Sequence, residues 1–254
     1  MSDASLAPEP QMSEATGQDP RKRLPQVEFI CLIAMLFATI GLSIDGMLPA
    51  LPEIAAELAP SDPNKVQLIV LSFMLGMGLG TLFTGPLSDR FGRRPVMICG
   101  AILYSAACVL AYVSQSLELL LIARFVQGLG AAAPRVVSLA LVRDLYSGPE
   151  MARIVSFGMM VFALVPAIAP SIGAVIILMS SWRAIFLSFV VFSAISMLWL
   201  LSRQPETLAV ENRRPFKIAS LINGAREVIL HPIVSLIILV QGFCFGILFA
   251  TLSS

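Results

Sequence analysis

The chain has 254 residues, 57% of them hydrophobic and 13% charged, with a mean hydropathy of +0.86. Soluble domains carry about 25% charged residues, so this composition excludes an ordinary water-soluble fold. The formal net charge of +1 says little by itself, and no nucleic-acid partner is expected.

Residues 1–24 are polar and turn-rich and end in Arg21-Lys22-Arg23. They read as a disordered tail, because no early apolar stretch with a cleavage site marks a signal peptide. Apolar segments follow at about 28–50, 66–86, 96–114, 119–141, 154–179, 184–201 and 233–252. Each is close to the length needed to cross hydrocarbon, and backbone in lipid must satisfy its own polar groups, so helices are predicted. Thirteen of the seventeen Lys and Arg fall on the side of the N-terminus. Lys65 and Arg183 fall on the other, and Arg124 and Arg135 lie within a span. This bias predicts a multi-pass protein with a cytoplasmic N-terminus.

The predicted organisation is a cytoplasmic tail (1–24), a six-helix bundle (25–201), an inner linker (202–231) and a seventh segment (232–254). In the outer link 51–65, Asp62-Pro63 reads as an N-cap followed by proline at the first helical position. Two later outer links, near 114–116 and 180–182, are short enough to force hairpins. Within the inner linker, Ile218, Leu221, Ile222, Ala225 and Ile229 recur at helical spacing. They fit either a helix on the membrane surface or a soluble linker helix.

Charged groups inside spans carry the functional signal. Asp45 falls in the outer third of the first span and Arg124 at a similar depth in the fourth, so a contact between them, direct or through water or substrate, is expected. Arg135 is eleven residues past Arg124 and returns to nearly the same helix face. Gly128 and Ala131 share that stripe and Gln127 adds an amide, which predicts a cavity wall. Gly76/Gly80 and Gly128/Ala132 are small-xxx-small pairs that let helices approach. Pro166 and Pro170 each remove an internal hydrogen bond, which predicts a bend in the fifth span. The four cysteines, Cys31, Cys99, Cys108 and Cys244, stand far apart in apolar runs. They predict inert thiols, with no metal site and no disulfide framework.

The link Gly85-Pro86-Leu87-Ser88-Asp89-Arg90-Phe91-Gly92-Arg93-Arg94-Pro95 packs charge and turn formers between two apolar runs. Gly85, Leu87, Asp89, Arg90, Gly92, Arg93 and Arg94 match the signature Gly-x-Leu-Ala-Asp-Arg-x-Gly-Arg-Lys/Arg, with Ser88 in place of Ala. Arg124, Gln127, Gly128 and Gly130 match Arg-x-x-Gln-Gly-x-Gly. Asp45, Pro49, Ala50, Leu51 and Pro52 match Asp-x-x-x-Pro-Ala-Leu-Pro. Ala169, Pro170 and Gly173 match the exporter signature Gly-Pro-x-x-Gly-Gly loosely. On these residues the chain resembles the N-terminal half of a major facilitator superfamily transporter, and most closely the Bcr/CflA type of drug:proton antiporter.

The resemblance implies an all-α integral membrane fold placed in the cell inner membrane, a six-helix bundle followed by the start of a second. It implies that Asp89, within Gly85, Asp89, Arg90, Gly92, Arg93 and Arg94, holds a gate between the two halves. It also implies that Arg124 serves proton coupling and that Asp45 lies near the proton and drug path. The expected function is proton-driven efflux of small amphipathic drugs or metabolites by alternating access. Its expected partners are protons, lipid and the C-terminal half of a twelve-helix protein. No cofactor and no enzymatic activity are expected, the proton gradient being the energy source. The end at Thr251-Leu252-Ser253-Ser254 reads as a truncation. Two alternatives stay open: an importer of a polar solute on the same fold, and a seven-helix receptor, which the basic N-terminus disfavours.

Overall fold

The computed structural model describes residues 24–215, 226–228 and 230–252. The described residues form α1 (Gln26–Asp45), α2 (Leu51–Leu58), α3 (Gln67–Phe91), α4 (Arg93–Tyr112), α5 (Leu117–Leu145), α6 (Gly148–Met179), α7 (Ala184–Arg203) and α8 (Pro232–Leu252). Six helical stretches among them are long and apolar enough to cross a membrane, and α8 continues the pattern over 21 residues. The end where α1 begins is called proximal here, and the end where it stops distal. The surface helix predicted on Ile218, Leu221, Ile222, Ala225 and Ile229 lies outside the described residues, as does the tail up to residue 23.

The outward faces explain the hydropathy. Leu71, Leu75, Leu79 and Leu82 repeat along one face of α3 and are between 40% and 59% exposed. Such a stripe is costly in water and neutral in lipid, as a multi-pass membrane protein requires.

Inside, glycine sets the helix spacing. A methyl on Gly76 would strike the Phe125 carbonyl, and one on Gly128 would strike the Phe73 carbonyl, so α3 and α5 meet backbone to backbone. Gly100 under Ala133 and Gly130 under Tyr104 repeat this contact between α4 and α5. The expected stripe of Gly128 and Ala131 is thus a packing face and not a cavity wall, because α3 and its neighbours fill the space beside it.

Two ends are clasped by charge. Distally, Glu57 of α2 accepts from Arg183 at 2.7 and 2.9 Å and from Trp182 at 2.8 Å, while Arg183 also donates to the Ser114 carbonyl at 3.1 Å. The Glu57–Arg183 pair thereby joins all three distal connections. Proximally, Arg203 at the end of α7 donates to both oxygens of Glu28 on the first turn of α1.

The first span ends earlier than expected, at Asp45. Gly46 closes it by donating to the Leu42 carbonyl, and Pro49 and Pro52, which lack N–H groups, turn the chain through a 3-10 turn into α2. Asp62 precedes a 3-10 turn that begins at Pro63, but its side chain makes no capping bond. The two prolines of α6 do not break it: the helix runs unbroken for 32 residues.

Candidate functional site

The distal half of the bundle holds a buried polar knot. Arg124 is 0% exposed. Its Nη1 donates to Gln127 Oε1 at 2.7 Å and its Nη2 to the Ser43 carbonyl at 3.0 Å. The guanidinium lies 4.5 Å from the ring centre of Phe73, a cation–π contact in a water-poor setting. Gln127 Nε2 donates to Cys108 Sγ at 3.1 Å, and the Tyr104 hydroxyl meets Ser43 Oγ at 2.5 Å. Arg124 Nε has no partner. Four spans thus converge on one cation: α1 through Ser43, α3 through Phe73, α4 through Tyr104 and Cys108, and α5 itself.

The direct Asp45–Arg124 pair does not form. Arg124 reaches the backbone of α1 two residues before the acid, and Asp45 is half-buried with no ion pair among the described residues. The distance from Ser43 to Asp45 along the chain explains the miss: the carbonyl lies nearer the α5 face than the carboxylate does. The expected common face of Arg124 and Arg135 also divides. Arg124 is buried among α1, α3 and α4, whereas Arg135 is exposed. Helical phase alone cannot report which neighbours cover each level of a span.

A second cluster closes the proximal end. Gly92 sits at φ 104° between α3 and α4, the left-handed region that glycine tolerates. Just beyond it, Arg93 Nη1 donates to Asp89 at 2.6 Å and to Ser88 Oγ at 2.8 Å. Its Nε donates to Asp144 at 3.0 Å. Arg94 donates to the Leu201 carbonyl at 2.6 Å, whereas exposed Arg90 lies over the Phe91 ring. Gly85 faces Val136 of α5 at ordinary contact distance. A cleft of about 600 Å³ opens beside Asp89 and Arg93 and is completed by Glu211, Arg213 and Arg214.

In α6, Ala169 is buried and Gly173 packs against the Gly46 carbonyl, while Pro166 is exposed and Pro170 half-buried. An apolar groove of about 630 Å³ runs beside it, floored by Ala38 and Leu42 of α1 and walled by Leu164, Ile168, Val191 and Ile195.

Sequence reasoning missed Ser43, Tyr104, Asp144 and Glu206. Asp144 follows Arg143 at the end of a span, and Glu206 follows Pro205 just after another. Acids at such places were available as a signal. Ser43 and Tyr104 carried none, since single hydroxyls are common in spans.

A family model described as Major Facilitator Superfamily matches residues 31–254. The chain belongs to this superfamily. The uncharacterized MFS-type transporter YdgK of Bacillus subtilis (strain 168) is 36% identical over 75% of the chain and 48% of its own length. A bicyclomycin resistance protein homolog of Haemophilus influenzae is 37% identical with the same coverage. A chloramphenicol resistance protein of Pseudomonas aeruginosa is 37% identical over 59% of the chain and 36% of its own length. The chain therefore spans about half the length of the first two of these relatives. Among solved structures, the human organic anion transporter MFSD10 superposes with a TM-score of 0.62 at 20% identity, covering 76% of the chain and 51% of MFSD10. The E. coli xylose transporter XylE gives 0.64 at 16% identity, covering 72% of the chain and 50% of XylE. At these identities the likeness speaks for the fold alone.

Proposed function

We propose that this chain supplies the first bundle of a proton-coupled exporter of small amphipathic drugs or metabolites in the inner membrane of a bacterium. Its N-terminus and proximal end face the cytoplasm, where the arginines of Gly85–Arg94 gather. Protons moving inward drive substrate outward by rocking of this bundle against a second one, and no cofactor takes part. The observation that carries this reading is Asp45, a half-buried carboxylate inside a span with no ion pair among the described residues, two residues from the carbonyl that holds the buried Arg124. A carboxylate without a fixed counter-ion in low dielectric can exchange a proton for a bound substrate. The resemblance to resistance proteins supports export over import.

The test is accumulation of ethidium and chloramphenicol in cells that express the full-length gene, with and without an uncoupler. Export predicts lower accumulation that the uncoupler restores. Higher accumulation than in control cells would mean import, and equal accumulation of every compound tried would remove the drug-exporter reading.

A further inference from the structure

The fourth helix begins at Arg93, directly after Gly92, so its first N–H groups have no side-chain cap from their own neighbourhood. The cap comes from the inter-bundle linker. Glu206 accepts from the Arg93 N–H at 2.9 Å through Oε1 and from the Arg94 N–H at 3.0 Å through Oε2. It also folds back on its own segment, accepting from the Leu208 N–H at 3.1 Å. A side chain on Gly92 would close this seat, because its Cβ would come within 2.8 Å of Glu206 Oε2. The linker is tied down twice more. Thr207 Oγ1 donates to Asp144 at 2.8 Å, and the Arg214 N–H donates to the Asp89 carbonyl at 3.0 Å. The linker therefore touches the end of α3, the start of α4 and the end of α5, the three elements that carry Asp89, Arg93 and Asp144.

We propose that Glu206 is a positioning residue of the gate: its carboxylate, seated on the start of α4, ties the linker that leads to the second bundle to the Asp89–Arg93–Asp144 cluster. Movement of the second bundle pulls on the linker, and the linker's grip decides whether Arg93 stays aligned between its two acids. This rests on the alternating-access reading above. A carboxylate suits the task because it accepts two N–H groups at once and carries the charge that a helix N-terminus favours.

The experiment is hydrogen–deuterium exchange on the full-length protein in nanodiscs, comparing wild type, Glu206→Gln, Glu206→Asp and Glu206→Ala, with ethidium efflux measured in parallel. In Glu206→Ala, exchange is expected to rise by about tenfold or more at the start of α4 and at the proximal helix ends of the second bundle together. Glu206→Gln should fall between, and Glu206→Asp should recover part of the protection. In efflux, the maximal rate should fall while the half-saturating ethidium concentration holds. A rise confined to the first turns of α4 would reduce Glu206 to a local cap, and unchanged exchange would overturn the seat itself. If the exchange pattern holds but wild type exports nothing, the exporter reading fails and the strap stands.

Discussion

Arg124 meets the first helix at Ser43 and not at Asp45, its Nη2 donating to the Ser43 carbonyl at 3.0 Å. That carbonyl belongs to the last turn of α1, one of the four that a helix leaves without an internal partner. The cation thus caps α1 and sits at the negative end of its dipole. Because two acceptors are served by two arms of one planar group, Arg124→Lys is not conservative. It is expected to leave either Ser43 or Gln127 unserved, at about 1–3 kcal/mol of stability, with transport lost more steeply. Thermal melting in detergent beside uptake into vesicles measures both.

Asp45 makes the opposite prediction. With no ion pair among the described residues, it contributes little to holding the bundle together. Asp45→Asn should change stability by no more than about 0.5 kcal/mol and yet abolish proton movement coupled to substrate. A pH-sensitive dye inside proteoliposomes of the full-length protein reads the coupling. Normal stoichiometry in the variant would remove Asp45 from the proton path.

The glycine contacts give a graded test. Gly76→Ala and Gly128→Ala drive a methyl into rigid backbone of the facing helix and should cost about 1–3 kcal/mol each, or more if the pair cannot spread. Gly78→Ala, two residues along, meets nothing within 4 Å and should be neutral or slightly stabilising. The comparison uses one measurement, the melting midpoint, on three variants of the same helix pair.

Tyr104 offers a clean deletion of a single hydroxyl. Tyr104→Phe keeps the ring and removes the 2.5 Å bond to Ser43, whose own hydroxyl still donates to the Thr39 carbonyl at 2.6 Å. The expected cost is about 1 kcal/mol. In a double-mutant cycle with Ser43→Ala the two losses should be less than additive, because each variant removes the same bond. Full additivity would mean that the bond contributes nothing.

The spans could be read from residue order because lipid enforces one rule on every backbone group. The proximal turn and the close helix contacts were also readable: Gly92 stands where a positive φ is needed, and Gly76 and Gly128 where helices touch. The partners of the charged groups were less visible. Arg124 and Arg135 share a helical phase, yet one is buried and the other exposed, since phase does not say which helix lies opposite at which height. Glu206 finds the start of α4 across 112 positions of sequence, and no local pattern encodes so distant a cap. Asp45 was singled out as a candidate, but its partner was assigned by depth, and the backbone carbonyl that Arg124 reaches instead leaves no trace in a one-letter code.

The bundle is fastened unevenly, and α6 is its loosest member. Among the described residues it exchanges no side-chain hydrogen bond with another span. It lies against α1 instead, through Gly41 beneath Val165, Gly158 beneath Phe37 and Gly173 against the Gly46 carbonyl. Dispersion contacts of this kind are individually weak, so parting α6 from α1 breaks no directional bond, although the glycine seats fix its register. The other five spans behave as a truss, braced by Arg183–Glu57 at one end and Arg203–Glu28 at the other. Beside that truss α6 is held by shape alone, so separation within the bundle has one plane on which no directional bond between side chains must first be broken.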